Sequence, residues 1–416
     1  MKSVYWVRRD LRILQNKTLL EFCQKSREAI FFFRKDPSLN QSGQFRRQYV
    51  ESALFEFNEL LQKKGQTLHV FENESLIEIL DKIQEQFKFD SLYYSREFSI
   101  DEVNEEKQIE NWCIEKGINI NSFYNSTLTS PEVWNQLNLG QAPQFTQFRK
   151  KIERSPLVCE KLVEPTLFPK IPSTQLNSLS ITHTNFGHVH PSETTAHNRI
   201  QTYFFESKNV LKYKETRNGM IQFDDSTHFS PWLSLGIVSP ESLYLELKRF
   251  ESEVMANEST YWVVFELLWR DYFKFLSLNL GPLFFVEKGL TTQKNITTNN
   301  KTLQVFENWC QGRTGLDFID ANMIELSMTG WMSNRGRQNV ASYLIHNLQV
   351  PWTWGAQFFE KMLIDYDPES NWGNWLYLSG RGTDPRSRVF NPDKQAQDYD
   401  SDSLFRKKWL KFRTEA

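Results

Sequence analysis

Five short runs rich in aromatic and β-branched residues, SVYWV, AIFFFR, TLHVF, SLYYS and INSF, fall within the first 125 residues, separated by segments of helical periodicity. In QFRRQYVESALFEFNELLQKKG, apolar residues recur three and four apart up to a stop at Gly65. Strand and helix alternating at this spacing predict parallel βαβ units and an α/β domain, residues 1–125, built on a doubly wound sheet. No GxGxxG follows the first run. The dinucleotide fingerprint is therefore absent, and a nicotinamide-dependent reading loses its main support.

The pattern then changes twice. Between 126 and 190, Pro131, Pro143, Pro156, Pro165, Pro169 and Pro172 break any long element, with polar runs such as PSTQLNSLSITHTN between them. This segment reads as an inter-domain connector. From 191 to 416 helical spacing dominates, as in NESTYWVVFELLWRDYFKFL, which predicts a mostly α second domain. Ten of the 13 tryptophans lie in that half, so it holds either an aromatic core or a use for aromatic rings.

Composition narrows the function classes. With 49 basic and 51 acidic residues the formal charge is −2, which is no global polyanion-binding signature. Cys23, Cys113, Cys159 and Cys310 lie far apart without a CxxC or CxxH pair, arguing against a disulfide framework and a zinc site. No metal is expected, and His183, His188 and His190 read as solvated loop residues. The start, MKSVYWVRRDLR, has no apolar targeting core, and no stretch approaches the ~18 apolar residues of a membrane span. A cytoplasmic protein without a membrane partner is expected. There is no GxSxG, and no histidine falls in a nucleophile-activating pattern.

Four segments concentrate polar groups in apolar surroundings. In ELLWRD, Glu266, Trp269 and Arg270 share adjacent turns of an apolar helix, where a Glu266–Arg270 pair and a functional role are equally open. In GWMSNRGRQNVAS, a small turn presents Asn334, Arg335, Arg337, Gln338 and Asn339 at a helix start, suited to an anion or a heterocycle. In IDYDPESNWGNWLYL, Asp365 and Asp367 lack a third metal ligand other than Glu369, so pairing with Arg337 is preferred to a metal site. In DDSTHFSPWLSLG, Ser226, Thr227 and Ser230 precede a helix and either cap it or hold a phosphate.

Taken with YWVRRDLRILQN, FTQFRKKIE, YKETRNGM and GRTGLDFIDANM, these blocks resemble the photolyase and cryptochrome family, most closely its cryptochrome DASH branch, over nearly the whole chain. The resemblance implies an α/β domain joined by a long connector to a helical domain that binds FAD non-covalently. It also implies blue-light-driven repair of cyclobutane pyrimidine dimers by electron transfer from excited FADH⁻. By position, Tyr213, Ser226, Thr227, Phe229 and Ser230 match the segment that holds the flavin diphosphate. Arg270, Arg337, Asp365, Asp367 and Asn371 match the surroundings of the isoalloxazine. Glu266, Trp269, Asn334, Gln338 and Tyr377 match the substrate side, with Tyr377 where duplex-specific photolyases often carry a second stacking Trp. Trp375 and Trp352 match the inner and middle members of an electron-relay chain. Asn299 stands where its outermost tryptophan falls, leaving Trp354, Trp372 or Trp309 as substitutes.

The Tyr at 377, the near-neutral charge and the DASH-like pocket imply single-stranded DNA as the preferred partner, with RNA as a further one, and a monomer. Glu97 is the candidate contact for a folate antenna such as methenyltetrahydrofolate. Two competing readings accompany this one. A blue-light receptor signalling through flavin redox state is disfavoured by the lack of an extended tail after NWGNWLY. An electron-transfer flavoprotein without light chemistry lacks a docking motif.

Overall fold

The five runs form strands β1 (Lys2–Val7), β2 (Glu28–Arg34), β3 (Leu68–Phe71), β4 (Ser91–Arg96) and β5 (Asn119–Tyr124). They make one all-parallel sheet in the order β3-β2-β1-β4-β5. This computed structural model describes residues 1–155, 157–174, 176, 180–384, 386 and 388–413; Pro156 and part of the polar run after Pro172 lie outside the described residues. Because successive side chains point to opposite faces, each strand feeds two cores. Tyr5, Val7, Phe31, Val70 and Tyr93 pack on one face with Phe22, Leu54 and Phe57 of the helices Lys17–Lys25 and Gln44–Lys63. Val4, Trp6, Ile30, Phe32 and Leu92 pack on the other with Ile79, Ile83 and Trp112 of the helices Leu76–Phe87 and Ile100–Lys116.

The strand order reverses between β1 and β4, and the crevice beyond their carboxyl ends is where doubly wound sheets bind ligands. Here that crevice is filled with charge. Arg8 pairs with Glu106, and Arg9 Nη2 lies 2.8 Å from both Glu97 and Glu102. Glu97, the candidate folate contact, is buried and accepts from Arg9.

Residues 126–190 are not featureless. They carry the helices Pro131–Gln136 and Phe145–Arg154, the second applying Phe145 and Phe148 to Trp269, Tyr272 and Phe275. Beyond residue 190 the chain is helical, centred on Glu258–Leu280. Asn257 caps that helix by accepting from the Thr260 N–H at 3.0 Å. Val263, Leu267, Leu268 and Phe275 on it join the first sheet core, so one apolar body underlies both halves. Among the described residues no helix is long and apolar enough to cross a membrane.

Candidate functional site

Four segments converge on a cavity of about 270 Å³ in the helical half: residues 226–233, the helix Glu258–Leu280, the stretch from Trp331 through the helix Asn334–Ser342, and the turn 363–367 with the helix Pro368–Leu378. Of the residues singled out in the sequence, Tyr213, Ser226, Thr227, Phe229, Ser230, Glu266, Arg270, Asn334, Arg337, Gln338, Asp365, Asp367, Asn371 and Trp375 line it. Trp269, Tyr377 and Trp352 stand outside its lining.

Charge is placed on the walls by helix ends. Asp367 is the N-cap of Pro368–Leu378, accepting from the Ser370 N–H at 2.9 Å, with Pro368 at the first turn where its missing N–H costs nothing. Its other oxygen accepts from Arg270 at 2.9 Å and lies 3.6 Å from Lys274. Burial acts to raise the Asp367 carboxyl, but Lys274, Arg270 and Arg9 outweigh it and hold the group well below the usual carboxylate range. Asp367 is therefore a fixed anion. Asp365 accepts from Arg337 Nη2 at 2.8 and 3.0 Å and from the Ser230 hydroxyl at 2.7 Å, tying three of the four segments together. Arg337 is oriented by its Nε–H bond to the Met332 carbonyl at 2.9 Å.

The Glu266–Arg270 pair left open by spacing does not form. Arg270 turns to Asp367, and Glu266 pairs with Arg217 from a distant turn. Burial raises the Glu266 carboxyl while Arg217 opposes the rise. Asn334 and Gln338 lie one turn apart in a helix capped by Ser333 and share the cavity face, whereas Arg335 bonds Asn218 at 3.2 Å and Asn339 bonds back to the Arg335 carbonyl at 2.9 Å. The 226–230 loop is held by Arg199, which donates to the carbonyls of Ser226 at 2.8 Å and Thr227 at 3.1 Å.

The sequence reading missed Arg217, His228, Trp331 and Tyr366, all of which line the cavity. His228 adopts a left-handed φ of 55° and stacks on Phe223 at 4.3 Å. Burial, with Arg199 and Arg337 nearby, lowers its imidazole to about 3, so the ring is neutral. Arg217 lay in the quoted block YKETRNGM, but nothing local marks it as a partner for Glu266, 49 residues on.

The aromatic residues named in the sequence pack in pairs. Trp269 is stacked on Phe145 at 3.7 Å and 15°, and Tyr377 meets the ring at 5.3 Å and 67°. Trp375 packs edge-on against Trp309 at 6.3 Å, whereas Trp352 packs against Trp372 at 5.7 Å. Asn299 is a helix cap, accepting from the Thr302 N–H at 3.0 Å. The reading of the connector histidines as solvated fails for His190, whose half-buried ring lies 3.0 Å from Glu56.

Residues 3–170 match the family described as DNA photolyase, and residues 262–413 match the FAD binding domain of DNA photolyase. Cryptochrome DASH of Danio rerio is 37% identical over 428 residues, covering 97% of this chain and 82% of that protein. The chain belongs to the photolyase/cryptochrome family. Within it, cryptochrome DASH of Synechocystis sp. is likewise 37% identical, over 97% of this chain and 86% of that protein. A crystal structure of Synechocystis cryptochrome superimposes with a TM-score of 0.90 at 36% identity, covering 99% of this chain and 89% of that one. An archaeal photolyase from Sulfolobus tokodaii, described with two FAD molecules, gives 0.79 at 26% identity, covering 99% and 90%.

The helical half is thus an FAD-binding domain, and its cavity passes a test of fit. Asn371 gives its Nδ2–H to the Ala356 carbonyl at 3.0 Å, while its buried Oδ1 has no partner among the described residues. A cavity-lining acceptor left open in this way suits a ligand N–H. The cationic Arg337, the hydroxyls of Ser226 and Thr227, and apolar walls from Leu233, Leu267 and Phe359 suit an anionic, partly aromatic cofactor.

Proposed function

We propose that this photolyase/cryptochrome is a blue-light-driven repair enzyme that splits cyclobutane pyrimidine dimers, preferentially in single-stranded DNA. The observation that carries the reading is the sharing of one cavity by Glu266, Asn334 and Gln338 with Arg337, Asp365 and Asn371. Flavin-holding and base-reading groups then act in a single enclosure. When bound, the flavin supplies light absorption and a one-electron donor.

The chain's own residues do the rest. Ser226 and Thr227 would hold phosphate oxygens, with Tyr213, Phe229 and Ser230, whose hydroxyl is given to Asp365, beside them. Arg337, paired with Asp365, presents a cation, Asp367 presents an anion backed by Arg270, and Asn371 presents an acceptor. On the substrate side, Glu266 accepts hydrogen bonds from pyrimidine N–H groups, held in place by Arg217. The amides of Asn334 and Gln338 both donate and accept, which matches the alternating edge of a pyrimidine. Trp269 and Tyr377, in contact with each other beside the cavity, are assigned to the extruded base. Trp375 and Trp352 relay electrons inward.

Extruding bases from a duplex costs a few kcal/mol that a single strand largely avoids, and a net charge of −2 adds no general attraction to duplex phosphates. RNA as a further ligand, a monomeric state and a cytoplasmic location complete the proposal. A cryptochrome photoreceptor signalling through flavin redox state is the second reading, favoured by the names of the curated relatives.

A light-dependent assay on dimer-containing oligonucleotides, single-stranded and duplex, with reduced flavin-loaded protein separates the two. Repair faster on single strands, and lowered at least about tenfold by Glu266→Gln at unchanged flavin content, is expected. Dimers that persist in both substrates would overturn the repair reading and leave the photoreceptor.

A further inference from the structure

Away from the cavity, the last part of the connector lies along the helix Gln44–Lys63 and brings three ligand-type atoms together. His190 Nε2 is 3.0 Å and His183 Nε2 is 3.4 Å from the same oxygen of Glu56. All three atoms lie within 4.8 Å of one another. A tetrahedral ion with metal–ligand bonds near 2.0–2.2 Å needs ligand atoms roughly 3.2–3.5 Å apart, so both measured separations are close to those of a filled site.

The backbones that carry the ligands are pinned independently of them. Beside His183, the Thr184 N–H donates to Ser52 Oγ at 2.8 Å, and the Ser52 hydroxyl donates to the Thr184 carbonyl at 3.1 Å. Ser52 stands one turn before Glu56 on the same helix, so His183 and Glu56 share an anchor. The His190 carbonyl accepts from the Trp232 indole N–H at 2.9 Å, and Trp232 is fully buried. Pre-set ligands lose little freedom on binding a metal. The side chain of His183 is 40% exposed, which leaves ions a path in and a water the fourth position.

We propose that Glu56, His183 and His190 form a three-ligand site for a divalent transition cation of the zinc type, tying the connector to the helix Gln44–Lys63. Two imidazoles and one carboxylate select Zn²⁺, Co²⁺ or Ni²⁺ over Mg²⁺ or Ca²⁺, which favour oxygen donors. Without metal, the His190 Nδ1 accepts a long bond from the Phe186 N–H at 3.4 Å, so its proton sits on Nε2 and points to Glu56. With metal on Nε2 that proton moves to Nδ1, and the long Phe186 bond and the His190–Glu56 hydrogen bond give way to coordinate bonds from His190 and Glu56. The site is independent of the repair reading.

The test uses the full-length, flavin-loaded protein, freed of any affinity tag and stripped with a chelator. It is titrated with Zn²⁺ by calorimetry and with Co²⁺ by visible absorption. One equivalent of Zn²⁺ is expected, with a tetrahedral Co²⁺ spectrum lacking a thiolate band. Glu56→Gln and His183→Ala each weaken binding by about tenfold or more, whereas His188→Ala leaves it unchanged. The exposed His183 makes its variant a safe one for folding, and a thermal melt raised by Zn²⁺ in the parent but not in His183→Ala is the second readout. No saturable binding by the parent, or parental binding by both ligand variants, would show a hydrogen-bonded cluster only and overturn the site.

Discussion

Asp365 satisfies two partners at once, the Arg337 guanidinium and the Ser230 hydroxyl. Asp365→Ala leaves the cation beside the cavity without its counter-charge and frees the 226–230 loop from the turn at 365. The flavin released on heating purified Asp365→Ala protein is expected to fall several-fold; full occupancy would show that the pair does not support the cofactor. Glu325 offers a pH-dependent counterpart. Burial pushes its carboxyl up to about 8 against the opposing pull of Lys408 and Arg337, and one of its oxygens has no partner among the described residues. The folded chain binds that proton more tightly than the unfolded chain, so the stability it confers is full below about pH 4.5 and declines as pH rises toward about 8. Glu325→Gln keeps a neutral side chain at every pH. Its stability is expected to match the parent near pH 5 and to exceed it near pH 8 by a few kcal/mol, at about 1.4 kcal/mol per pKa unit. Urea unfolding at the two pH values decides, and parallel pH dependence in both proteins would remove Glu325 as the source.

At the scale of elements, two glycines allow the cavity-bearing helix Pro368–Leu378 to approach its neighbours. A Cβ at Gly355, on the helix Trp352–Met362, would sit 2.2 Å from the Trp375 ring, and one at Gly373 would sit 2.3 Å from the Phe273 ring. Both glycines have ordinary helical φ, so close approach and not backbone freedom requires them. Gly355→Ala is expected to cost about 1–3 kcal/mol, as overpacking in cores does, and to displace Trp375 from the cavity wall. A lower Tm together with reduced flavin content would follow; an unchanged Tm would mean that the two helices are free to separate. The helix itself is legible in the chain, because Asp367-Pro368-Glu369 is an N-cap, a first-turn proline and a first-turn acid. Its neighbour across the glycine is not, since a glycine in a helical pattern reads only as a weak position.

Over the whole molecule, a chain of buried and half-buried charge joins the two halves. Arg9, just after β1, meets Glu97 and Glu102 of the α/β domain and lies 3.8 Å from Glu369 of the helical domain. Glu369 in turn holds Lys274 at 2.8 Å, and Lys274 faces Asp367 in the cavity wall. Removing one member of such a network leaves buried charges uncompensated, which typically costs about 3–5 kcal/mol. Arg9→Ala is therefore expected to lower the denaturation midpoint of the full chain strongly, with Arg9→Lys recovering part of the loss. A midpoint within error of the parent would mean that water compensates the acids and that the halves are not coupled through Arg9.

Local patterns in the chain were enough for the alternating sheet, the helical second half and the polar groups of the four segments, while the resemblance to a family added Tyr213 and Phe229 to the cavity residues. Period-two alternation, helical spacing and caps act over one or two turns, where neighbours in sequence are neighbours in space. What only the tertiary structure decided are the pairings between distant segments. Glu266 lies next to Arg270 on its own helix yet joins Arg217, because Asp367 at a helix start claims Arg270. Trp269 is covered on one face by Phe145 from the connector, and His190 reaches Glu56 across 134 residues. Each of these side chains had several chemically suitable partners in the sequence. The choice among them follows from which backbones the shared apolar core brings within a few ångströms, and no local rule carries that distance.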